Sequence, residues 1–339
     1  MDKRLEALKQ WLVQELGLTD YEIAPASADA SFRRYFRVQH NGSSFIVMDA
    51  PPEKENCQAF IELSAIFNEL GLHVPVVEKM DLQQGFLCLT DLGNRVYLDE
   101  LTEENTSQNA DQNTVQLYDD ALKALLKIQA YKGNHLPDYD LTLLLNEMEL
   151  FREWYLGKHL GLTLTDQQQT LLDEAFSFLA NEALSQPQVL VHRDYHSRNL
   201  MICEDNNPGI LDFQDAVIGP VTYDLVSLLR DCYVQWPQQQ VESWLSGYYQ
   251  QASKAGLIAN IEFAQFLRWF DLMGIQRHLK ASGIFARLNY RDNKPGYLND
   301  IPRTLGYIKS VATRYPELNA FSDFINSLTP DSVASVYAS

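Results

Sequence analysis

No two of the four cysteines, Cys57, Cys88, Cys203 and Cys232, stand in a C-x-x-C pair. Their scatter speaks against a zinc knot or a disulfide framework and fits small core residues in a reducing compartment. Basic charge is scarce as well: 27 Lys and Arg face 45 Asp and Glu, a formal net charge of -18. A nucleic-acid partner, which demands clustered cations, is therefore not expected. No apolar run reaches the length of a membrane span. The opening "MDKRLEALKQWLVQELG" lacks a signal-peptide core and cleavage site, and instead sets Leu5, Leu8, Leu12 and Leu16 on one helical face. These absences together predict a cytoplasmic chain with no membrane partner, and nothing in the sequence implies an obligatory protein partner. Repeats and low-complexity segments are missing too, although "TEENTSQNADQNT" at 102–114 is polar enough for a mobile loop.

What is present describes a folded globular chain, with 46% hydrophobic and 21% charged residues. At 339 residues it exceeds one ordinary core, so two lobes with a ligand cleft are expected. "YEIAPAS", "RRYFRVQH" and "SSFIVMDA" read as antiparallel strands, the last two joined by the hairpin turn "HNGS". "PPEKENCQAFIELSAIFNELG" places Phe60, Leu63, Ile66, Phe67 and Leu70 at helical spacing, and "HVPVVEKMD" and "GFLCLTDLG" supply two further strands. From Leu92 onward long helical periods dominate, including one across "LTLLLNEMELFREWYLG". They are broken by the short apolar runs "QVLVH", "NLMIC" and "GILDF". The predicted architecture is α+β: a small five-stranded antiparallel lobe with one helix over 1–91, and a larger, mostly α lobe with a small β insertion over 92–339.

The β insertion carries the chemistry. His192-Arg193-Asp194, four further residues and Asn199 fit H-R-D-x-x-x-x-N, and a hairpin later Asp212-Phe213 ends a strand. His192 and His196 also have the i,i+4 spacing of a helical zinc pair, but no Glu follows His192 and the segment leads into strands. The motif, hairpin and preceding five-stranded lobe resemble the protein-kinase-like phosphotransferases. The resemblance implies that ATP and Mg²⁺ are the cofactors, that Asp194 receives the acceptor's proton, and that Asn199 and Asp212 hold the metal against the phosphates. It implies support of the catalytic loop by His192 and Asp224; Asp224 is equally a first-turn helix residue favoured by the dipole.

Only "QDAVIGPVT" separates the D-F pair from the next helix, which leaves little room to grip a peptide and favours a small-molecule acceptor. This brevity resembles the aminoglycoside and choline phosphotransferase branch. "ASFRRYFRV", "VHRDYHSRNLM", "LDFQDAVIGPVTYDLVSLLRD" and "QRHLKASGIFARL" narrow the resemblance to bacterial amino-sugar kinases acting on the anomeric hydroxyl of N-acetylmuramate and N-acetylglucosamine. An aminoglycoside, choline or other sugar acceptor, or a nucleotide-binding pseudokinase scaffold, stays open as an alternative.

Two departures from the kinase pattern stand out. The phosphate-covering turn "ADASFRRYF" has no glycine, so the amides of Ala30, Ser31 and Phe32, with Arg33 or Arg34, are its candidate phosphate contacts. The third strand carries Met48 where the family has its ATP-orienting lysine, and Glu62 on the inserted helix is left without a role. Backbone groups of Leu89 and Asp91 fall where the resemblance implies adenine pairing. Gln276, Arg277 and Lys280, on one helical stretch, and Arg198 in the catalytic loop are candidate sugar contacts, although Gln276, Arg277 and Lys280 read equally as a solvated helix face.

Overall fold

The computed structural model of the protein describes residues 2–28, 32–101, 106, 110–133 and 136–328. Ala30, Ser31 and most of the polar 102–114 stretch lie outside the described residues. The chain forms two compact units, Met1–Val96 with Asn199–Asp215, and Tyr97–Arg198 with Ala216–Ser339. The hairpin that carries Asn199 and Asp212, read from sequence as part of the second lobe, belongs to the first unit by packing.

The first unit opens with α1 (Lys3–Leu16), capped by the Asp2 carboxylate and stopped at Gly17, whose φ of 68° suits the left-handed C-terminal turn. Five strands follow: β1 (Glu22–Ala28), β2 (Arg34–His40), β3 (Ser43–Asp49), β4 (Val77–Asp81) and β5 (Phe86–Thr90). They form an antiparallel sheet in the order β1-β2-β3-β5-β4. Asn41 and Gly42, both at positive φ, make the β2–β3 turn and fix a register with Phe36 opposite Val47. One face of this sheet, with Phe36, Val38, Val47, Phe86 and Cys88, buries Leu8, Trp11 and Leu12 of α1.

The inserted helix α2 (Gln58–Glu69) starts later than its Pro51-Pro52 prelude suggests, where the Asn56 side chain accepts from the Gln58 amide. Phe60 and Phe67 of α2 hold Phe213, with ring centroids 5.0 and 5.3 Å apart. The two-stranded ladder of β7 (Leu200–Met201) and β8 (Gly209–Ile210) brings Asn199 and Leu211 together, and Leu211 N–H donates to the Asn199 carbonyl at 2.9 Å.

The second unit is helical: α3 (Tyr97–Glu100), α4 (Gln112–Gln129), α5 (Leu141–Leu150), α6 (Asp166–Leu184), α7 (Tyr223–Leu229), α8 (Gln238–Lys254), α9 (Phe263–Asp292), α10 (Ile301–Ala312) and α11 (Asn319–Ser327). The short apolar runs of the β insertion divide between two ladders. β6 (Gln188–Val191) pairs with β9 (Val217–Pro220), a strand that sequence reading passed over, while "NLMIC" and "GILDF" pair with each other in the first unit.

The expected continuous helix over 141–157 also divides: after α5 the backbone widens into a π-helical stretch, Phe151–His159. At that junction α9 comes close, and a Cβ added to Gly283 would overlap the Leu150 carbonyl and the Phe151 amide. Both obstacles are backbone, so they cannot swing aside as a side chain would. Gly283→Ala is expected to lower stability by about 1–3 kcal/mol, the range for an overpacked methyl. A lower denaturant midpoint with unchanged slope is the expected reading, and an unchanged midpoint contradicts the close approach. Among the described residues no helix is long and apolar enough to cross a membrane.

Candidate active site

β6 delivers the chain into the loop His192–Arg198, whose backbone is gathered by two buried aspartates on either side of α7. Asp224, in the first turn of α7, accepts from the amides of His192 at 2.7 Å and Arg193 at 3.0 Å. Asp231, just beyond its end, accepts from the Ser197 amide at 2.9 Å. Burial pushes the Asp224 carboxyl up to about 7, against the pull of the two amides and Arg277. Arg193 takes the left-handed conformation (φ 77°), an uncommon setting for an arginine that these contacts hold in place. The His192 ring is buried, and its Nδ1 accepts from the Asp194 amide at 3.2 Å.

This turn presents Asp194. Burial disfavours its charge, but Lys280, His196, Arg277 and His192 outweigh burial and hold the carboxyl below its ordinary range. The group is therefore an ionised acceptor at neutral pH, able to orient a hydroxyl and take its proton.

Beneath it lies a residue that sequence reading missed. Glu147 of α5 is buried and collects Arg193 at 2.5 Å, Lys280 at 2.9 Å and Gln276 at 3.4 Å, together with the Tyr139 hydroxyl. Gln276 Nε2 and Lys280 Nζ thus both turn to Glu147, and Lys280 also donates to the Tyr223 hydroxyl at 2.9 Å. The signal in the sequence was a glutamate between Leu144 and Met148, on the apolar side of an amphipathic helix.

Lys280 is buried, and Glu147 leads the groups that keep its proton on against burial; Tyr223 and Asp194 also favour its charge and Arg193 opposes it. Removing the carboxylate therefore lowers the Lys280 pKa, and above that value Asp194 loses a cationic neighbour. Glu147→Gln is expected to show a kcat that declines on the alkaline side as Lys280 loses its proton, where the wild type holds level. A pH–rate profile checks this, and parallel profiles would reduce Glu147 to packing.

In the first unit the hairpin brings a second set together. Asn199 Nδ2 lies 3.4 Å from Asp212 Oδ2, and Gln214 Nε2 donates to Asp212 Oδ1 at 2.6 Å. Asp212 itself is at φ 62°, so the backbone turns sharply where Phe213 is anchored by α2. One carboxylate and one amide are hard oxygen donors of the class Mg²⁺ takes while keeping phosphate and water in its other positions. Among the described residues no group of three or more His, Cys, Asp or Glu is placed to hold a metal ion.

The nucleotide-side candidates sit in the same unit. Arg34 pairs with Asp2 and with the fully buried Asp49, which Arg4 also holds. Arg33 pairs with Glu55 at 3.0 Å, and Glu55 also accepts from the Phe32 amide at 3.0 Å. Met48 is buried between Tyr35 and Leu87 in the sheet, and Glu62 is exposed and accepts from Gln58. Leu89 lies inside β5, and the Asp91 side chain is held by Arg37 (2.6 and 2.9 Å) and Ser44.

On the acceptor side, Arg198 stacks on Tyr233, its guanidinium carbon 3.6 Å from the ring centroid, with Tyr297 at 5.5 Å. Arg277 is buried and donates to the Cys232 sulfur at 3.2 Å. Asp231, Tyr233 and Tyr297 carried no motif and were not picked out from sequence.

A family model described as "Phosphotransferase enzyme family" matches residues 22–266. An N-acetylmuramate/N-acetylglucosamine kinase of Pseudomonas putida is 48% identical over 96% of this chain and 97% of its own. A Pseudomonas aeruginosa protein of the same name is 43% identical over the same shares. Among solved structures, an ethanolamine kinase of Plasmodium vivax superposes with a TM-score of 0.65 at 13% identity, covering 93% of this chain and 90% of that one, which shows a shared protein-kinase-like fold. With the H-R-D loop built around an ionised Asp194 and the family model spanning both sides of it, the chain belongs to the phosphotransferase enzyme family.

Proposed function

We propose that the protein transfers the γ-phosphate of ATP to the anomeric (C1) hydroxyl of N-acetylmuramate and N-acetylglucosamine, as a step in recycling peptidoglycan fragments. The observation that carries the reading is Asp194, held ionised at the head of a loop whose amides are fixed by Asp224 and Asp231. The acceptor class is supported by relatives of that name matching nearly the whole chain. Asp194 orients the C1 hydroxyl and receives its proton as the phosphoryl group transfers; the loose transition state needs positioning and charge more than a strong base. Asn199 and Asp212 are the residues that would hold Mg²⁺, which when bound neutralises phosphate charge. Arg33 is the cation of the phosphate-covering turn that takes over from the missing third-strand lysine, exchanging Glu55 for phosphate oxygen. The main chain of Leu89 and Asp91 pairs with adenine.

Asp224 and His192 support the loop without touching substrate. ATP consumption measured with and without Mg²⁺ over a panel of N-acetylmuramate, N-acetylglucosamine, an aminoglycoside and choline tests the reading. Metal-dependent turnover confined to the two amino sugars is expected, whereas turnover of the cationic compounds alone moves the acceptor class.

A further inference from the structure

Of the four side chains that sequence reading offered to the sugar, two turn their donors into the protein: Gln276 Nε2 and Lys280 Nζ bind Glu147. The other two differ. Among the described residues no carboxylate pairs with Arg198 or Arg277, in a chain whose net charge is -18. Arg277 is 5% exposed, and its buried Nε has no partner. An unpaired buried guanidinium N–H is costly, so a water or a ligand oxygen at this Nε is favourable, while Asp194 and Asp231 favour the charge itself.

The two guanidiniums flank consecutive residues, Arg277 against Cys232 and Arg198 against Tyr233. Both act on the buried His196, whose ring lies 5.4 Å from that of Tyr233. Arg277 also lies near enough to Asp194 to favour its charge. Phe285 packs against Tyr233 and Tyr297, with centroids 5.9 and 5.6 Å apart, so the rings around Arg198 are themselves buttressed. Stacking on Tyr233 orients the Arg198 fork without consuming its N–H donors. A planar fork with unspent donors and a second cation acting on the same histidine suit a carboxylate.

We infer that Arg198, on its Tyr233–Tyr297 platform, and Arg277 bind the carboxylate of the acceptor and so distinguish N-acetylmuramate, which carries one on its lactyl ether, from N-acetylglucosamine, which does not. This rests on the amino-sugar reading above and assigns the discrimination to these side chains. The rival source of the same oxyanion chemistry is a phosphate of ATP, and the action of Arg277 on Asp194 and of both arginines on His196 favours the acceptor.

The test is the ratio of kcat/KM for N-acetylmuramate to that for N-acetylglucosamine, measured with wild type, Arg198→Met and Arg277→Met, alongside KM for ATP. Because both sugars meet the same enzyme, the ratio is independent of how much of a variant folds. The ratio is expected to fall about tenfold to a hundredfold, the worth of one charge-assisted hydrogen-bonded pair, with KM for ATP unchanged. An unchanged ratio in both variants overturns the inference and spares the sugar-kinase reading, as does a raised KM for ATP with equal losses on both sugars. Wild type that phosphorylates neither sugar overturns the acceptor reading and this inference with it.

Discussion

Replacing Asp194 with Asn is expected to lower kcat by about 10² to 10⁴ and to leave KM for ATP nearly unchanged. The amide has the size of the carboxylate, and the contacts that shape the loop remain, since Asp224 and Asp231 hold backbone N–H groups and His192 accepts from the residue's own amide. What is lost is the negative oxygen that, in the proposed reaction, orients the hydroxyl and receives its proton. Four cationic or polarisable neighbours, Lys280, His196, Arg277 and His192, depress the Asp194 pKa in the wild type. The acid limb of wild-type kcat therefore lies below the range of an ordinary carboxylate, and activity falls only as pH drops through that depressed value. Steady-state kinetics of the variant decide the point; near-wild-type turnover removes Asp194 as the proton acceptor.

The second large effect is expected at Asp212. Asp212→Asn keeps the shape of the side chain and one oxygen toward Gln214 Nε2, but removes the charge that a divalent cation needs. Turnover is expected to fall by about 10³, the scale of losing a preorganised electrostatic contact to the transferring group, and the residual activity should need far more Mg²⁺. Titrating Mg²⁺ against both proteins measures this. Coincident metal dependence would show that Asp212 is not a ligand, and Phe213, anchored between Phe60 and Phe67, would then be the reason for the D-F pair.

Much of the fold was legible because its determinants are local. The Asn41-Gly42 turn needs positive φ at both residues, and once it is placed the β2–β3 register follows, including the facing of Arg34 and Asp49. Four residues from Asp194 to Asn199 and a hairpin to Asp212 likewise lie within one short stretch. The parts not legible depend on distant chain. β6 finds β9 across the intervening hairpin, and a four-residue strand such as Val217–Pro220 has too little pattern to announce itself. The π stretch at Phe151 lies where Gly283 of α9 arrives, which helical periodicity within the stretch does not encode. Gln276, Arg277 and Lys280 were read either as sugar contacts or as a solvated helix face because Glu147, which Gln276 and Lys280 meet, is far away in sequence and a lone helix does not show which of its polar groups face the interior.

The central claim is transfer to the C1 hydroxyl, and one measurement addresses it directly. A sugar phosphorylated at C1 cannot open to its aldehyde, so reducing-end reactivity disappears as ATP is consumed. The glycosyl phosphate also cleaves in mild acid through an oxocarbenium-like species, returning the reducing end. N-acetylmuramate and N-acetylglucosamine are incubated with the protein and Mg·ATP, and reducing sugar is assayed before and after mild acid. Loss of reducing sugar in step with ADP formation, restored by acid, is the predicted result. A phosphorylated product that still reduces and resists acid would contradict it.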